Sequence, residues 1–133
     1  MACIVLVMHE PLGSAFAECA AHVLGRDPEL VVFDVVADEN PEEATDRLTE
    51  LLRSRSGSTI LVLSDIFGAT PFNIARKALA RVAEQGGQGH LVTGTNLCMI
   101  LKALTENYDD PEKFSETIRQ AAVRGIVDAA SLV

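Results

Sequence analysis

The sequence contains no apolar run long enough to cross a bilayer. Its longest, residues 2–8 and 30–37, fall well short of the roughly 18 to 20 residues that a membrane-spanning helix needs. Positive charge is also scarce: 11 Lys and Arg stand against 19 Asp and Glu, for a net charge of −8. That argues against general nucleic-acid binding, which depends on a basic surface that displaces counterions from phosphates. An anionic ligand remains compatible with this charge, because backbone N–H groups at a helix start can hold one without lysines. The N-terminus lacks the basic flank and small-residue cleavage site of a secretory signal, so a cytoplasmic location is expected. Three cysteines, Cys3, Cys19 and Cys98, are an odd number without metal-site spacing, and read as reduced, buried thiols in apolar stretches. No G-x-G-x-x-G follows a strand and no G-x-x-x-x-G-K-[ST] occurs, so dinucleotide and P-loop nucleotide binding have no support. The three histidines and the acids show no metal-ligand spacing either, and no metal or other cofactor is expected.

What the sequence does have is a regular exchange of apolar runs and helix-period segments. With 133 residues and 48% hydrophobic composition, it can bury one core, and residues 1–133 are read as one domain. Residues 2–8 form an apolar strand, a break at Glu10, Pro11 and Gly13 follows, and residues 14–24 read as a helix closed by Gly25. Residues 30–36 form a second strand. Asn40 suits an N-cap with Pro41 at the first helical position, before a face of Ala44, Leu48, Leu51 and Leu52. A third strand at 59–63 leads through a loop at 64–70 into a helix over 71–83 that ends near Gly86 and Gly87. Leu91, Val92 and Thr93 predict a short fourth strand, residues 96–104 a helix, and Asp109, Asp110 and Pro111 introduce a last helix to about Arg124, with Gly125 as its cap. Residues 126–133 fit either continued helix or a final strand. Strands that are apolar throughout are buried on both faces, which implies a parallel sheet with helical crossovers, an open α/β sandwich.

In such sheets, ligands bind beyond the carboxyl ends of the strands, where the chain leaves in opposite directions. Two segments qualify: Met8-His9-Glu10 after the first strand and residues 64–68 after the third. If those strands are neighbours, His9 and Asp65 emerge side by side. A carboxylate that accepts the N–H of one imidazole nitrogen fixes the tautomer and leaves the other lone pair free, which makes an activated nucleophile. Gly68, Ala69 and Thr70 then form a small-residue turn into a helix, with Pro71 suited to its first position. Its unpaired N–H groups suit an anion. The Thr70 hydroxyl suits either capping this helix or donating to a bound oxyanion. His22 and His90 are read as structural, Glu10 as a solvated charge, and the Gly86-Gly87-Gln88-Gly89 cluster as a flexible turn. A receiver domain phosphorylated on Asp would need an acidic cluster after the first strand, where this chain has His9 and one acid.

These residues resemble a known family, the mannose/fructose-type enzyme IIA of the bacterial phosphoenolpyruvate-dependent sugar phosphotransferase system. The resemblance rests on Ile4-Val5-Leu6-Val7-Met8-His9, on Ser64-Asp65-Ile66-Phe67-Gly68-Ala69-Thr70-Pro71-Phe72-Asn73, and on Gly94-Thr95-Asn96-Leu97-Cys98-Met99. It implies that His9 is phosphorylated on Nε2, that Asp65 orients the other ring nitrogen, and that Gly68, Ala69 and Thr70 surround the phosphoryl group. Phe67, Pro71 and Asn73 would shape this loop and the following helix. The resemblance further implies HPr as phosphoryl donor, an enzyme IIB as acceptor, and a homodimer. The implied fold is a three-layer α/β/α sandwich with four parallel strands in order 2-1-3-4 and an exchanged antiparallel edge strand near the C-terminus, which favours strand for residues 126–132. Three positions depart from the family pattern: Glu10 and Ala69 replace glycines, and Cys98 replaces a proline. A regulatory module that uses the same His9 without sugar uptake, and a small-ligand binding domain without chemistry, are the other two readings.

Overall fold

Residues 4–8 are each no more than 3% exposed, and the computed structural model, which describes residues 2–55, 57–106 and 110–132, shows what covers both of their faces. They belong to β1 (Ala2–His9), an inner strand of a four-stranded sheet ordered β2-β1-β3-β4. β2 (Leu30–Val35) and β3 (Thr59–Ser64) flank it, and β4 (Gly89–Val92) lies beyond β3. All three pairings are parallel. The helical crossovers cover both faces: α1 (Leu12–Leu24), α4 (Leu97–Thr105) and α5 (Pro111–Arg124) on one, α2 (Pro41–Arg53) and α3 (Thr70–Ala83) on the other. Ile4, Leu6 and Met8 pack with Ala20, Met99, Ile100, Phe114 and Ile118, whereas Val5 and Val7 pack with Leu48, Leu52, Ile74 and Ala78. Each large apolar side chain buried in these layers contributes roughly 1.5–3 kcal/mol. The result is the three-layer α/β/α sandwich with strand order 2-1-3-4.

Helix ends follow the local chemistry. The Asn40 side chain accepts the N–H groups of Glu42 and Glu43 at 3.0 and 3.1 Å ahead of Pro41 in α2. Asn96 caps α4 through Met99 N–H at 2.9 Å, and Asp110 caps α5 through Glu112 N–H at 3.0 Å. Such caps contribute about 1 kcal/mol each. Gly25 ends α1 in the left-handed region at φ 71°, which an L side chain adopts only with strain.

Several expected boundaries shift, each for a physical reason. α1 begins at Leu12, ahead of Ser14. α3 begins at Thr70 with Ala69 as its N-cap, so Pro71 is second in the helix and the Thr70 hydroxyl is not the cap. β4 starts at Gly89 and takes in His90, because residues 89–92 continue the ladder with Ile60, Leu61, Val62 and Leu63. Gly89 is therefore no flexible turn: a Cβ there would meet the Ile60 carbonyl at 2.9 Å. Gly125 keeps an ordinary helical φ of −76°. Glycine suits it because a Cβ would come within 2.5 Å of Cys98 Sγ. The segment 126–132 differs most from expectation. Asp128 accepts the Ala130 N–H on its side chain and the Ser131 N–H and hydroxyl on its carbonyl. These local bonds close Ala129–Leu132 into a 3-10 turn in place of a ladder. Asp109 and Val133 lie outside the described residues.

Candidate functional site

β1 is paired on both sides, and the chain leaves its carboxyl end toward α1 on one face while β3 leaves toward α3 on the other. His9 ends β1 and Asp65 follows β3 directly. The fold therefore brings together two residues 56 positions apart. Asp65 Oδ2 accepts the His9 backbone N–H at 3.0 Å and lies 2.7 Å from ring Nδ1, while Oδ1 accepts the Ile66 N–H at 2.9 Å. An ionised carboxylate can only accept, so Nδ1 carries a proton, and in the neutral ring Nε2 keeps the lone pair. The ring is about half exposed, at 48%, whereas the carboxylate that holds it is 9% exposed. Burial pushes the Asp65 carboxyl toward neutrality, but the His9 backbone N–H, the His9 ring and the Ile66 N–H outweigh it and hold its pKa below the ordinary value.

The loop after Asp65 is built on short bonds of its own. Gly68 turns it at φ 84°, Ala69 N–H returns to the Ile66 carbonyl at 3.3 Å, and Asn73 Nδ2 donates to the Gly68 carbonyl at 3.2 Å. A second strap comes from the β4–α4 connection, where Thr95 donates its N–H and hydroxyl to the Ser64 carbonyl and Gly94 N–H reaches the Asp65 carbonyl at 3.1 Å. The outcome is an α3 start with no side-chain cap. Pro71 has no N–H, so the Thr70 and Phe72 N–H groups are the free donors of the first turn. Ile66 and Phe67 stand 58% and 76% exposed beside this turn, and the Phe67 ring lies 4.9 Å from that of Phe72.

All eight residues singled out in the sequence, His9, Asp65, Phe67, Gly68, Ala69, Thr70, Pro71 and Asn73, lie at this carboxyl edge. Glu10 is exposed, and its N–H donates to the Val35 carbonyl at 3.0 Å. His22 sits exposed in the last turn of α1, and His90 lies near the opposite end of the sheet in β4. The sequence reading passed over Asp34 in β2, whose carboxylate bonds Gly13 and Ser14 at the start of α1. The available signal was a lone acid in an apolar strand. Ile66 has no role in the sequence pattern either, although at 58% exposed it faces solvent beside the still more exposed Phe67.

Fold and site together define a class: a doubly wound α/β domain that presents a carboxylate-oriented imidazole on open surface beside an uncapped helix start. The family described as the fructose IIA component of the phosphotransferase system matches residues 3–122, and this chain belongs to it. The fold is shared with a phosphotransferase-system EIIA of Streptococcus agalactiae (TM-score 0.85, 21% identity, 98% of this chain and 99% of that one). It is shared too with the mannose/sorbose-specific IIA subunit of Enterococcus faecalis (TM-score 0.85, 19% identity, 95% and 92%). A sigma-54 interaction domain protein of Enterococcus faecalis also has it (TM-score 0.73, 16% identity, 93% and 94%). No curated protein sequence matches the chain. Family membership carries a phosphocarrier role in a sugar phosphotransferase system, and among the described residues no helix is long and apolar enough to cross a membrane.

Proposed function

We propose that His9 is the phosphoryl-carrying residue, that it is loaded by the phosphohistidine of HPr, and that it passes the group to an enzyme IIB. The observation that carries this reading is the 2.7 Å contact of Nδ1 with Asp65, which leaves Nε2 as the free nucleophile on open surface. In the transfer, a P–N bond to Nε2 forms as the donor's P–N bond breaks, and the donor imidazole departs with the electron pair. Asp65 stabilises the positive charge that develops on the His9 ring. The Thr70 and Phe72 N–H groups and the Thr70 hydroxyl receive the phosphoryl oxygens, a role that positioning and oriented dipoles can fill without a metal. Gly68 and Ala69 let the backbone approach the phosphoryl group, and Phe67, Pro71 and Asn73 hold the loop in shape. A half-exposed imidazole held by Asp65, with exposed Ile66 and Phe67 next in the chain after that carboxylate, suits a protein donor, which must reach it across a surface.

Residues 1–133 act in this reading as one domain, in the cytoplasm, and pair as a homodimer. Pairing is supported by β4 at the sheet edge, by exposed Val123 and Ile126, which line one groove with His90, Leu91 and Val92 of β4, and by exposed Val127 and Leu132 further along the chain. The sigma-54 interaction protein that shares the fold favours one second reading, in which the phosphorylation state is read by a partner and sugar uptake plays no part. Onward transfer to a IIB component separates the two. The test of the first step is intact mass at neutral or alkaline pH after incubation with phosphoenolpyruvate, enzyme I and HPr. Wild type should gain one acid-labile group of about 80 mass units and His9→Gln none. Phosphate retained in the variant would end the proposal.

A further inference from the structure

The phosphocarrier reading uses Asp65 and the α3 start, and leaves the bonds of Asp34 without a role. This half-buried residue is the one acid of β2, whose sequence is LVVFDV. Its Oδ1 accepts the Gly13 N–H at 2.9 Å, and its Oδ2 accepts the Ser14 N–H at 3.2 Å and the Ser14 hydroxyl at 2.6 Å. At the other end of the same loop, Glu10 N–H donates to the carbonyl of Val35, the next residue of β2. The short connection from His9 into α1 is thus fastened at both ends to consecutive residues of one strand. His9 sits between this fastening and Asp65. Gly13 is built for the contact, because a Cβ there would run into the Asp34 carboxylate and come within 3.1 Å of Val32 Cγ1.

We infer that Asp34 is a positioning residue for the chemistry of His9. It fixes the start of α1 just beyond His9 and so the exit of the chain from the imidazole, and it occupies that start with a resident carboxylate so that the phosphoryl group meets only the α3 start. The first effect sets the direction from which Nε2 attacks, and small misplacements of a reacting group are costly in rate. The second removes a competing set of oriented N–H donors from the same edge of the sheet. This inference rests on the phosphocarrier reading and extends it to a residue outside the His9–Asp65 pair.

The experiment compares wild type, Asp34→Asn, Gly13→Ala and Ser14→Ala in initial rates of phosphate uptake from phospho-HPr. A parallel measurement records ¹⁵N chemical shifts of the His9 ring without any donor. Asn can offer only one acceptor oxygen where three donors converge. Gly13→Ala improves helix propensity while displacing the carboxylate, so it separates positioning from mere helix stability. Ser14→Ala is exposed and leaves a folded protein even where Asp34→Asn does not. Expected are a kcat lower by about tenfold or more in Asp34→Asn and Gly13→Ala, a smaller drop in the same direction in Ser14→Ala, and a KM for phospho-HPr changed by less than about twofold. The ring shifts should move away from the single Nδ1–H tautomer in the first two variants. Unchanged kcat with unchanged ring shifts in the folded variants would overturn the inference and leave the phosphocarrier reading standing. If wild type itself takes up no phosphate, that reading fails, and the ring shifts alone decide whether Asp34 positions His9.

Discussion

Two helix starts face the same edge of the sheet, and they are finished in opposite ways. At α1 the N–H groups of Gly13 and Ser14 are taken by the Asp34 carboxylate, so the positive end of that helix is already neutralised by the protein. At α3 the cap residue is Ala69, without a side-chain bond, and the first turn keeps free donors. Three further helices, α2, α4 and α5, are capped by Asn40, Asn96 and Asp110. The fold therefore leaves unfilled the helix start that lies beside His9. Leaving it uncapped forgoes about 1 kcal/mol of stability, which an incoming oxyanion can recover.

The comparison can be broken most severely at the residue that the open helix start serves. Asp65→Asn keeps the shape of the side chain but removes the charge and offers an NH₂ group toward Nδ1, which favours the wrong tautomer. Phosphate uptake from phospho-HPr, followed by quenched-flow mass spectrometry, should fall by about 10²-fold or more. A rate within threefold of wild type would mean that Asp65 does not orient the ring. Converting the α3 start into a copy of the α1 start is the next sharpest change. Ala69 already has N-cap geometry, φ −79° and ψ 173°, so Ala69→Asp should cap Phe72 N–H and place a resident carboxylate where the phosphoryl group belongs. Uptake should drop about tenfold while thermal stability rises by roughly 0.5–1 kcal/mol. Loss of stability together with unchanged uptake would refute the contrast between the two starts.

The smallest expected effect is on stability in acid. The Asp65 carboxyl is more acidic in the folded chain than its ordinary value of 3.8, because the folded state binds its proton less readily than the unfolded state does. Its contribution is therefore complete above that ordinary value and declines as pH falls through the lowered folded one. The gap in denaturation midpoint between wild type and Asp65→Asn should carry this contribution in full above about 3.8 and should close as pH is taken below it. A gap that widens on acidification would reverse the sign of the argument.

Much of this edge was legible along the chain. The run from Ala2 to His9 announces a doubly buried strand because it does not alternate, and Asn40-Pro41 announces a helix start because each residue has one suitable place there. His9 and Asp65 stood out because each follows an apolar run, and parallel strands send those ends to one edge. The C-terminal segment was not legible in the same way. Ile126 and Val127 suit a strand, but within the described chain the nearby bonds of Asp128 and Ser131 draw Ala129–Leu132 into a turn. Asp34 was passed over for a related reason. An acid within an apolar run has no evident partner until the helix that follows another strand is laid across it.

What the sequence determined by itself was the alternation of strands and helices, the caps at Gly25 and Asn40, and the two residues at the ends of β1 and β3, because those follow from periodicity and from groups a few positions apart. Tertiary structure decided which helix start would be closed and which left open. Asp34 reaches α1 across 20 and 21 positions, and Asp65 reaches His9 across 56. Hydrogen bonds over such separations exist only once the parallel sheet has set β1 between β2 and β3.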